Sequence, residues 1–307
     1  MNYLYKLRFY LKPYLWKILL NLLILLMITG LSLIVPNILK GVVDEGLLQG
    51  ETGYLVNAAL ILLGLGLTTA VLNFFQRYLS EWVAAHIGYD LRNSMYDRIQ
   101  YLPFSYHDHT QTGQLITRCI EDVRAIQNFA GGSIIEIIQL VFVTIGVMVA
   151  LFSADVKLAI ITILPLIPMV MMTTDFGDRV TKLFYKVDMA LGDISTRLQE
   201  NVSGVQVVRA FARESHEAKR FEQVNKAYFQ SRVVLIGEWS KVMPTTNLLI
   251  ALGTILILIF GGREVLAGTM SVGEIVAFNS YWLMLSAPVQ QLAWLVNAAG
   301  EAGAGAQ

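Results

Sequence analysis

The sequence predicts an all-α membrane protein with six transmembrane helices, long helical extensions on one side, and a short tip closing each pair of extensions. Three observations predict it: six long runs without a charged residue, alternation of short and long charged spacers between them, and helical periodicity along the long spacers. A composition of 55% hydrophobic and 15% charged residues is too apolar for a soluble domain of 307 residues.

The uncharged runs are 18–39, 52–76, 137–154, 158–174, 242–262 and 275–300, and the spacers between them hold 12, 60, 3, 67 and 12 residues. A helix rising about 1.5 Å per residue needs roughly 20 apolar residues to cross a hydrocarbon core about 30 Å thick. The runs contain 22, 25, 18, 17, 21 and 26. The two shortest flank Asp155-Val156-Lys157 and read as a tight hairpin, the earlier one extending back through Ile126 to Ile135 if Glu136 faces protein or headgroups. The crossings are therefore placed near 18–39, 54–76, 133–154, 158–176, 242–262 and 275–298, within a six-helix region 18–302.

The first run is longer than the roughly 7 to 15 residues of a signal-peptide core, and no small-residue cleavage site precedes the next charged segment. Before it, Leu4, Leu7, Leu11 and Leu15 share one stripe, with Lys6, Arg8 and Lys12 outside it and Pro13 interrupting. Residues 1–17 thus read as an interfacial elbow helix. The lone Cys119 excludes an internal disulfide framework.

Lysine and arginine are retained on the cytoplasmic side during insertion. Twenty of the 23 lie in residues 1–17 and the two long spacers, while the short spacers hold one each, Lys40, Lys157 and Arg263. Both termini and both long spacers are expected in the cytoplasm.

A structureless loop of 60 residues is improbable in a compact protein, and these spacers are periodic. Leu79, Val83, Ile87, Leu91, Met95, Ile99 and Leu102 continue the second crossing as a helix for about 25 residues, and Ile116, Ile120, Val123 and Ile126 return. After the fourth crossing, Val180, Phe184, Val187, Leu191, Ile194, Leu198, Val202, Val205 and Val208 form a near-heptad stripe, with Phe221, Val224, Tyr228 and Leu235 on the way back. The tips differ. Pro103 disfavours continuing the helix before Phe104-Ser-Tyr-His-Asp-His-Thr-Gln-Thr-Gly113, and Arg209-Ala-Phe-Ala-Arg-Glu-Ser-His-Glu217 is polar with one aromatic. Polar segments held about 40 Å from the membrane have no lipid to touch and suit docking of a cytoplasmic partner.

At these tips the chain resembles the transmembrane domain of an ATP-binding cassette exporter of the six-helix multidrug and lipid class. The first match is Phe104, His107, Thr112, Gly113, Gln114, Leu115, Arg118, Asp122 and Val123, where Gln114 and Thr117 replace the commoner Glu and Ser. The second is Glu200 to Glu214, similar to E-x-x-x-G-x-x-x-V-K-A-F-x-x-E, and the third Gly261, Gly262, Gly268, Val272-Gly273-Glu274, Phe278 and Pro288. The resemblance implies two coupling helices, one bearing Phe104, Tyr106, His107, Asp108, Thr112 and Gly113, the other Arg209, Ala210, Phe211, Arg213 and Glu214. These would seat in clefts on nucleotide-binding domains, whose ATP-driven closure would switch the cavity between inward and outward access.

No G-x-x-x-x-G-K-[ST] loop occurs, so ATP and Mg would be held by a nucleotide-binding domain, fused or separate. The ending Glu301-Ala-Gly-Ala-Gly-Ala-Gln307 resembles the segment leading into that domain, with 303–307 as the start of a linker, and the chain is expected to be part of a longer exporter. The Gly64-Leu-Gly66 pair lies inside the second crossing, where glycine suits close helix packing better than phosphate binding. His107-Asp108-His109 is a poor metal pair, since residues two apart diverge on a helix and no third ligand is near in sequence.

Ionisable residues deep in a bilayer usually mark ion paths, and the uncharged runs contain none; only Glu136, Asp175, Glu238 and Lys241 lie near boundaries. A cavity for a hydrophobic or amphipathic substrate is expected, with Asn73, Gln76, Asn247, Asn279, Gln290, Gln291 and Asn297 as its polar candidates. Helix-to-helix hydrogen bonding is the competing explanation of such residues. Pro165, Pro168, Pro244 and Pro288 mark candidate kinks. The expectation is the membrane half of an ATP-driven exporter in a bacterial inner or plasma membrane, working with a second transmembrane subunit (homo- or heterodimer), membrane lipid and no nucleic acid. Its rivals are a non-catalytic membrane assembly subunit and a secondary transporter.

Overall fold

The computed structural model describes residues 8–109 and 112–286, and all regular structure among them is helical. In order the helices are α1 (Arg8–Leu11), α2 (Leu15–Gly41), α3 (Thr52–Gln100), α4 (Phe104–His109), α5 (Thr112–Thr117), α6 (Val123–Asn128), α7 (Ile134–Ala154), α8 (Val156–Ile163), α9 (Leu166–Ser203), α10 (Val205–Ala210), α11 (Glu214–Leu256) and α12 (Gly262–Leu266). A last helix, α13, occupies residues 272–286. Wider π-turns at Val42–Leu47, Arg118–Asp122, Phe129–Ser133 and Ile257–Gly261 extend or join neighbouring helices.

Five helical stretches are long and apolar enough to cross a membrane: Lys12–Leu47, Thr52–Gln100, Thr112–Ala154, Val156–Ser203 and Glu214–Leu266. The expected sixth begins as α13, and its remainder lies outside the described residues, as do Pro288, Gln290, Gln291, Asn297 and the 303–307 segment. The 49 residues of α3 rise about 73 Å, more than twice a hydrocarbon core, so the crossing and its extension are one unbroken helix. The expected 154-to-158 hairpin is tighter than its three-residue spacer suggested. Only Asp155 leaves helical geometry (φ −155°, ψ 120°), and its carboxylate accepts the Leu158 N–H at 2.7 Å to cap α8.

Two compact units divide the chain, one holding residues up to Leu166 and from Ile250 onward, the other Ile167–Leu249. In the first, Val147, Leu151, Leu158, Ala159, Ile257, Phe278, Trp282 and Leu285 bury one another around α7, α8 and α13. The Tyr281 hydroxyl donates to the Leu33 carbonyl (2.8 Å) and the Trp282 indole N–H to that of Ile250 (3.0 Å), so both polar atoms are satisfied inside this apolar core. Gly253 faces the Trp282 ring with no space for a Cβ. A second cluster joins Val83, Ile87 and Leu91 of α3 to Val123 and Ile126 of α6.

Tyr10, Leu11, Tyr14 and Ile18 pack on that second cluster, the Tyr14 hydroxyl donates to Asp90 (2.8 Å), and Lys17 Nζ lies 3.0 Å over the Trp82 ring. The expected elbow is therefore short where described. Pro13 sits in a 3-10 turn, Lys12–Tyr14, and the long helix starts at Leu15. Pro165 falls between α8 and α9, whereas Pro36 and Pro244 lie inside α2 and α11. Gly64 and Gly66 have open space where a Cβ would stand, so no close helix contact within the described chain explains them.

In the second unit α9 and α11 run side by side. Phe176 and Trp239 meet edge to face with centroids 4.8 Å apart, and Arg179 bridges Glu238 (2.6 Å) and Asp175 (3.1 Å).

Candidate functional site

The long stripes lose their burial toward the tips. In the first unit Val83, Ile87 and Leu91 are buried and Met95 half-buried, but Ile116 and Ile120 on the returning strand of the hairpin are exposed. In the second, Val180, Val187 and Leu235 are buried, while Leu198, Val202 and Val205 are exposed. Both tips carry bare aromatic rings, Phe104 at 89% and Phe211 at 73% exposure.

The first tip starts where α3 ends at Gln100; Pro103 precedes α4, and the Tyr106 N–H closes its first turn on the Pro103 carbonyl (2.9 Å). Thr112 and Gly113, expected to supply the turn, instead open α5, and the side chains of His107, Asp108 and His109 lie outside the described residues. At the second tip the helix breaks at residues 211–213, within the expected 209–217. Its short helix is Val205–Ala210, so Arg209 and Ala210 end it, Phe211 is its C-cap, Arg213 follows in the turn and Glu214 opens α11. The turn is a Schellman motif: the Arg213 N–H donates to the Val208 carbonyl (3.0 Å) and the Ala212 N–H to that of Arg209 (3.1 Å). Such a turn places its second-last residue at positive φ, normally glycine, yet here it is Ala212 at φ 50°.

The short loops of the first unit are stitched together. Ser271 and Glu274 form a reciprocal capping box at the start of α13, the Ser271 hydroxyl accepting the Glu274 N–H (3.0 Å) and the Glu274 carboxylate accepting the Ser271 N–H (2.8 Å). Lys40 at the end of α2 pairs with Glu274 at 2.8 Å. Asp44 accepts the Gly273 N–H (2.8 Å) and the Ser271 hydroxyl (2.5 Å), and a Cβ on Gly273 would collide with the Lys40 carbonyl and the Asp44 carboxylate. The hydrogen bond from Lys40, then that from the Ser271 N–H, holds the Glu274 carboxyl below its usual pKa. The S-x-x-E spacing could have revealed the capping box; nothing local in the sequence marks Asp44 as its partner.

A polar cleft of about 370 Å³ lies between α3 and the start of α7, lined by Asn73, Gln76, Arg77, Glu81, Glu136 and Gln139 among others. It brings together two of the seven polar cavity candidates, Asn73 and Gln76, with Glu136, noted above near a membrane boundary, and with Arg77 and Glu81, which had not been singled out. Asn247 is exposed in the second unit, and Asn279 on α13 has a buried side-chain oxygen without a hydrogen-bond partner. Gln290, Gln291 and Asn297 are among the residues already placed outside the description. Among the described residues no three His, Cys, Asp or Glu side chains gather as a metal site.

The pattern of the ABC transporter transmembrane region family matches residues 18–289. An uncharacterized ABC transporter ATP-binding protein of Bacillus subtilis, YknU, is 28% identical over 302 residues, covering 97% of this chain and 51% of its own length. A second B. subtilis protein, YgaD, named provisionally as a multidrug export ATP-binding/permease protein, is 29% identical over 292 residues, 92% of this chain and 50% of its own. The ATP-dependent lipid A-core flippase of Syntrophus aciditrophicus is 28% identical over 235 residues, 76% of this chain and 39% of its own. The chain thus spans about half the length, or less, of these curated relatives.

Proposed function

Because this chain belongs to the ABC transporter transmembrane region family, and so to a class of integral, multi-pass membrane proteins, we propose that it forms the membrane-spanning half of an ATP-driven exporter. One relative's name joins ATP-binding to permease and another's describes an ATP-dependent flippase, in single proteins at least about twice as long as the matched region. That supports a nucleotide-binding domain as the partner, holding ATP and Mg, with a second transmembrane subunit completing the path.

The observation that carries the reading is the bareness of the two tips. Phe104 and Phe211 expose 89% and 73% of their surface at the ends of the long helical hairpins. Burying a phenylalanine side chain is worth roughly 1.5–3 kcal/mol, so two bare rings, one opening a short helix and one capping another, suit insertion into a partner's clefts. The long helices then act as rigid levers, and closure of the ATP-binding domains moves the tips and alternates access to a hydrophobic or amphipathic substrate.

In proteoliposomes containing the protein with its ATP-binding partner, Phe104→Ala and Phe211→Ala are expected to lower ATP-driven transport at least tenfold while the basal ATPase of the motor persists. Wild-type transport and substrate-stimulated ATPase in both variants would remove the coupling role.

A further inference from the structure

The seam between α9 and α11 changes character on its way to the second tip. Away from the tip it buries Val180, Val187 and Leu235, and it is pinned by Phe176 against Trp239 and by Arg179 against Glu238. Beyond Ile194 the apolar stripe turns outward, with Leu198, Val202 and Val205 exposed. The half-buried positions pass instead to Arg197, Asn201, Gly204 and Val208, at steps of four, three and four. On α11 the half-buried Glu217, Phe221, Val224 and Tyr228 keep the same steps. Where leucine and valine were expected to pack, a guanidinium and an amide on α9 meet a carboxylate on α11.

Glu217 is the hub of this contact. Its side chain is only 20% exposed and pairs with Arg220 one turn on (3.3 Å), while the Asn201 amide and the Arg197 charge act on it from across the seam. Arg197 is 22% exposed; it donates to Glu200 (2.8 Å), and its Nε is enclosed without a hydrogen-bond partner among the described residues. Apolar stripes pack almost as well when one helix slides a turn along the other. Enclosed polar groups do not, because a slipped register leaves them unpartnered, so such groups fix register at a cost in stability. Immediately beyond the contact the helix breaks at Gly204, and the six residues of α10, too few to hold a helix by themselves, stand on it.

We propose that Arg197, Asn201 and Glu217 form a register key, with Glu217 as its positioning residue, that fixes α11 along α9 and so sets where α10 and Phe211 stand when force passes through the tip. The two pinned regions divide the work. Arg179 and Glu238 hold the far part of the hairpin, and the key holds the part that carries the exposed ring. The proposal rests on the exporter reading for what the force accomplishes, and stands apart from it for the register itself.

The test places spin labels on the exposed positions Val202→Cys and Glu222→Cys, in a Cys119→Ser background, in the protein with its ATP-binding partner in lipid nanodiscs. Pulsed electron paramagnetic resonance then reads the spacing of the two helices near the tip, and a second pair, Tyr185→Cys and Val233→Cys, reads the part pinned by Arg179. Without further change both pairs should give one narrow distance. Glu217→Ala should broaden the tip pair, or add a population displaced by about 5 Å, one helical turn, and leave the second pair narrow. Arg197→Met should do the same, and the double variant no more than either alone, because the groups act as one unit. Transport per ATP hydrolysed should fall about fivefold in Glu217→Ala and less in Glu217→Gln, which keeps an acceptor at that position. An unshifted tip pair in both Glu217→Ala and Arg197→Met overturns the key, whatever happens to transport. Broadening of both pairs also overturns it, since the residues would then hold the whole hairpin together. A displaced tip pair with wild-type transport per ATP in Glu217→Ala, where Phe211→Ala uncouples, overturns the positioning role. If the distances follow the expected pattern while Phe211→Ala leaves transport untouched, the coupling reading fails and the key stands.

Discussion

Two turns in this chain have the same hydrogen-bond pattern and opposite surroundings. After α12 the Thr269 N–H bonds the Glu264 carbonyl (3.0 Å) and the Gly268 N–H that of Val265 (3.0 Å); after α10 the same two bonds run from Arg213 and Ala212. The first turn has glycine at positive φ (74°) and leads into Ser271, Gly273 and Glu274, which lock onto Lys40 and Asp44. The second has alanine there and leads away from an exposed phenylalanine. The surroundings of the first turn satisfy one another, while the second keeps strain and bare aromatic surface. This contrast is what the proposed coupling role requires, since a surface that satisfies itself offers a partner nothing to grip.

The strongest way to break this contrast is to put a side chain where each end is glycine. Gly273→Val drives a branched Cβ into the Lys40 carbonyl and the Asp44 carboxylate, and overpacking there should cost about 2 kcal/mol or more. In a detergent melt this should lower Tm by about 3 °C or more. Gly113 at the first tip has open space around it, so Gly113→Ala should leave Tm unchanged. Equal losses at both positions would erase the distinction.

Asp44→Ala should come next, at about 1–2 kcal/mol, because it strips the acceptor from the Gly273 N–H and the Ser271 hydroxyl at once. The capping box within α13 survives this change, so a double variant with Ser271→Ala should lose more than either alone.

Protonation gives a gentler probe of the same end. The Glu274 carboxyl has a lowered pKa in the folded protein, so its contribution is present above the unfolded value, roughly 4.3, and is lost as pH falls through the lower folded value. Melting in the acid range should therefore show a drop that Glu274→Gln removes. The pair is partly exposed, and its share should be no more than about 1 kcal/mol. An acid limb identical in the variant would show that the pair contributes nothing.

The smallest effects belong to the paired turns. Gly268→Ala should destabilise by about 1 kcal/mol through positive-φ strain. Ala212→Gly should shift stability the other way by less, since relief of strain is offset by a more flexible unfolded chain. A gain of stability with reduced transport in Ala212→Gly would sharpen the comparison further, tying the strained turn to force transmission.

Much of this architecture was legible because membranes simplify the code. Uncharged runs locate the crossings, and three-and-four spacing carried α3 correctly to its end near Pro103. The breaks between the long helices fall where Pro103 and the polarity of residues 209–217 put them, at 101–103 and 211–213, but the short helix before the second break was not foreseen. Val205, Val207 and Val208 continue the apolar periodicity of α9, and only the break at Gly204, a single residue, separates α10 from it. The lock at the short loops was invisible for another reason. Asp44 and Gly273 are 229 residues apart, and no local rule relates them. The cleft was half legible: amides inside an uncharged run attract notice, whereas Arg77, Glu81 and Glu136 look like ordinary boundary charges until the fold gathers them. Its π-turn at Phe129–Ser133 also escapes periodicity, because one extra residue within the turn merely shifts the stripe.

The single non-helical residue between α7 and α8 bears on how the chain enters a bilayer during synthesis. With only Asp155 between them, neither helix has slack to be lodged without the other, so if both cross, the two are expected to partition together as a hairpin. Transfer of Asp155 and Lys157 would then have to be outweighed by the two apolar arms acting jointly. Lengthening this link would uncouple the arms and allow each to be inserted, or to fail, separately.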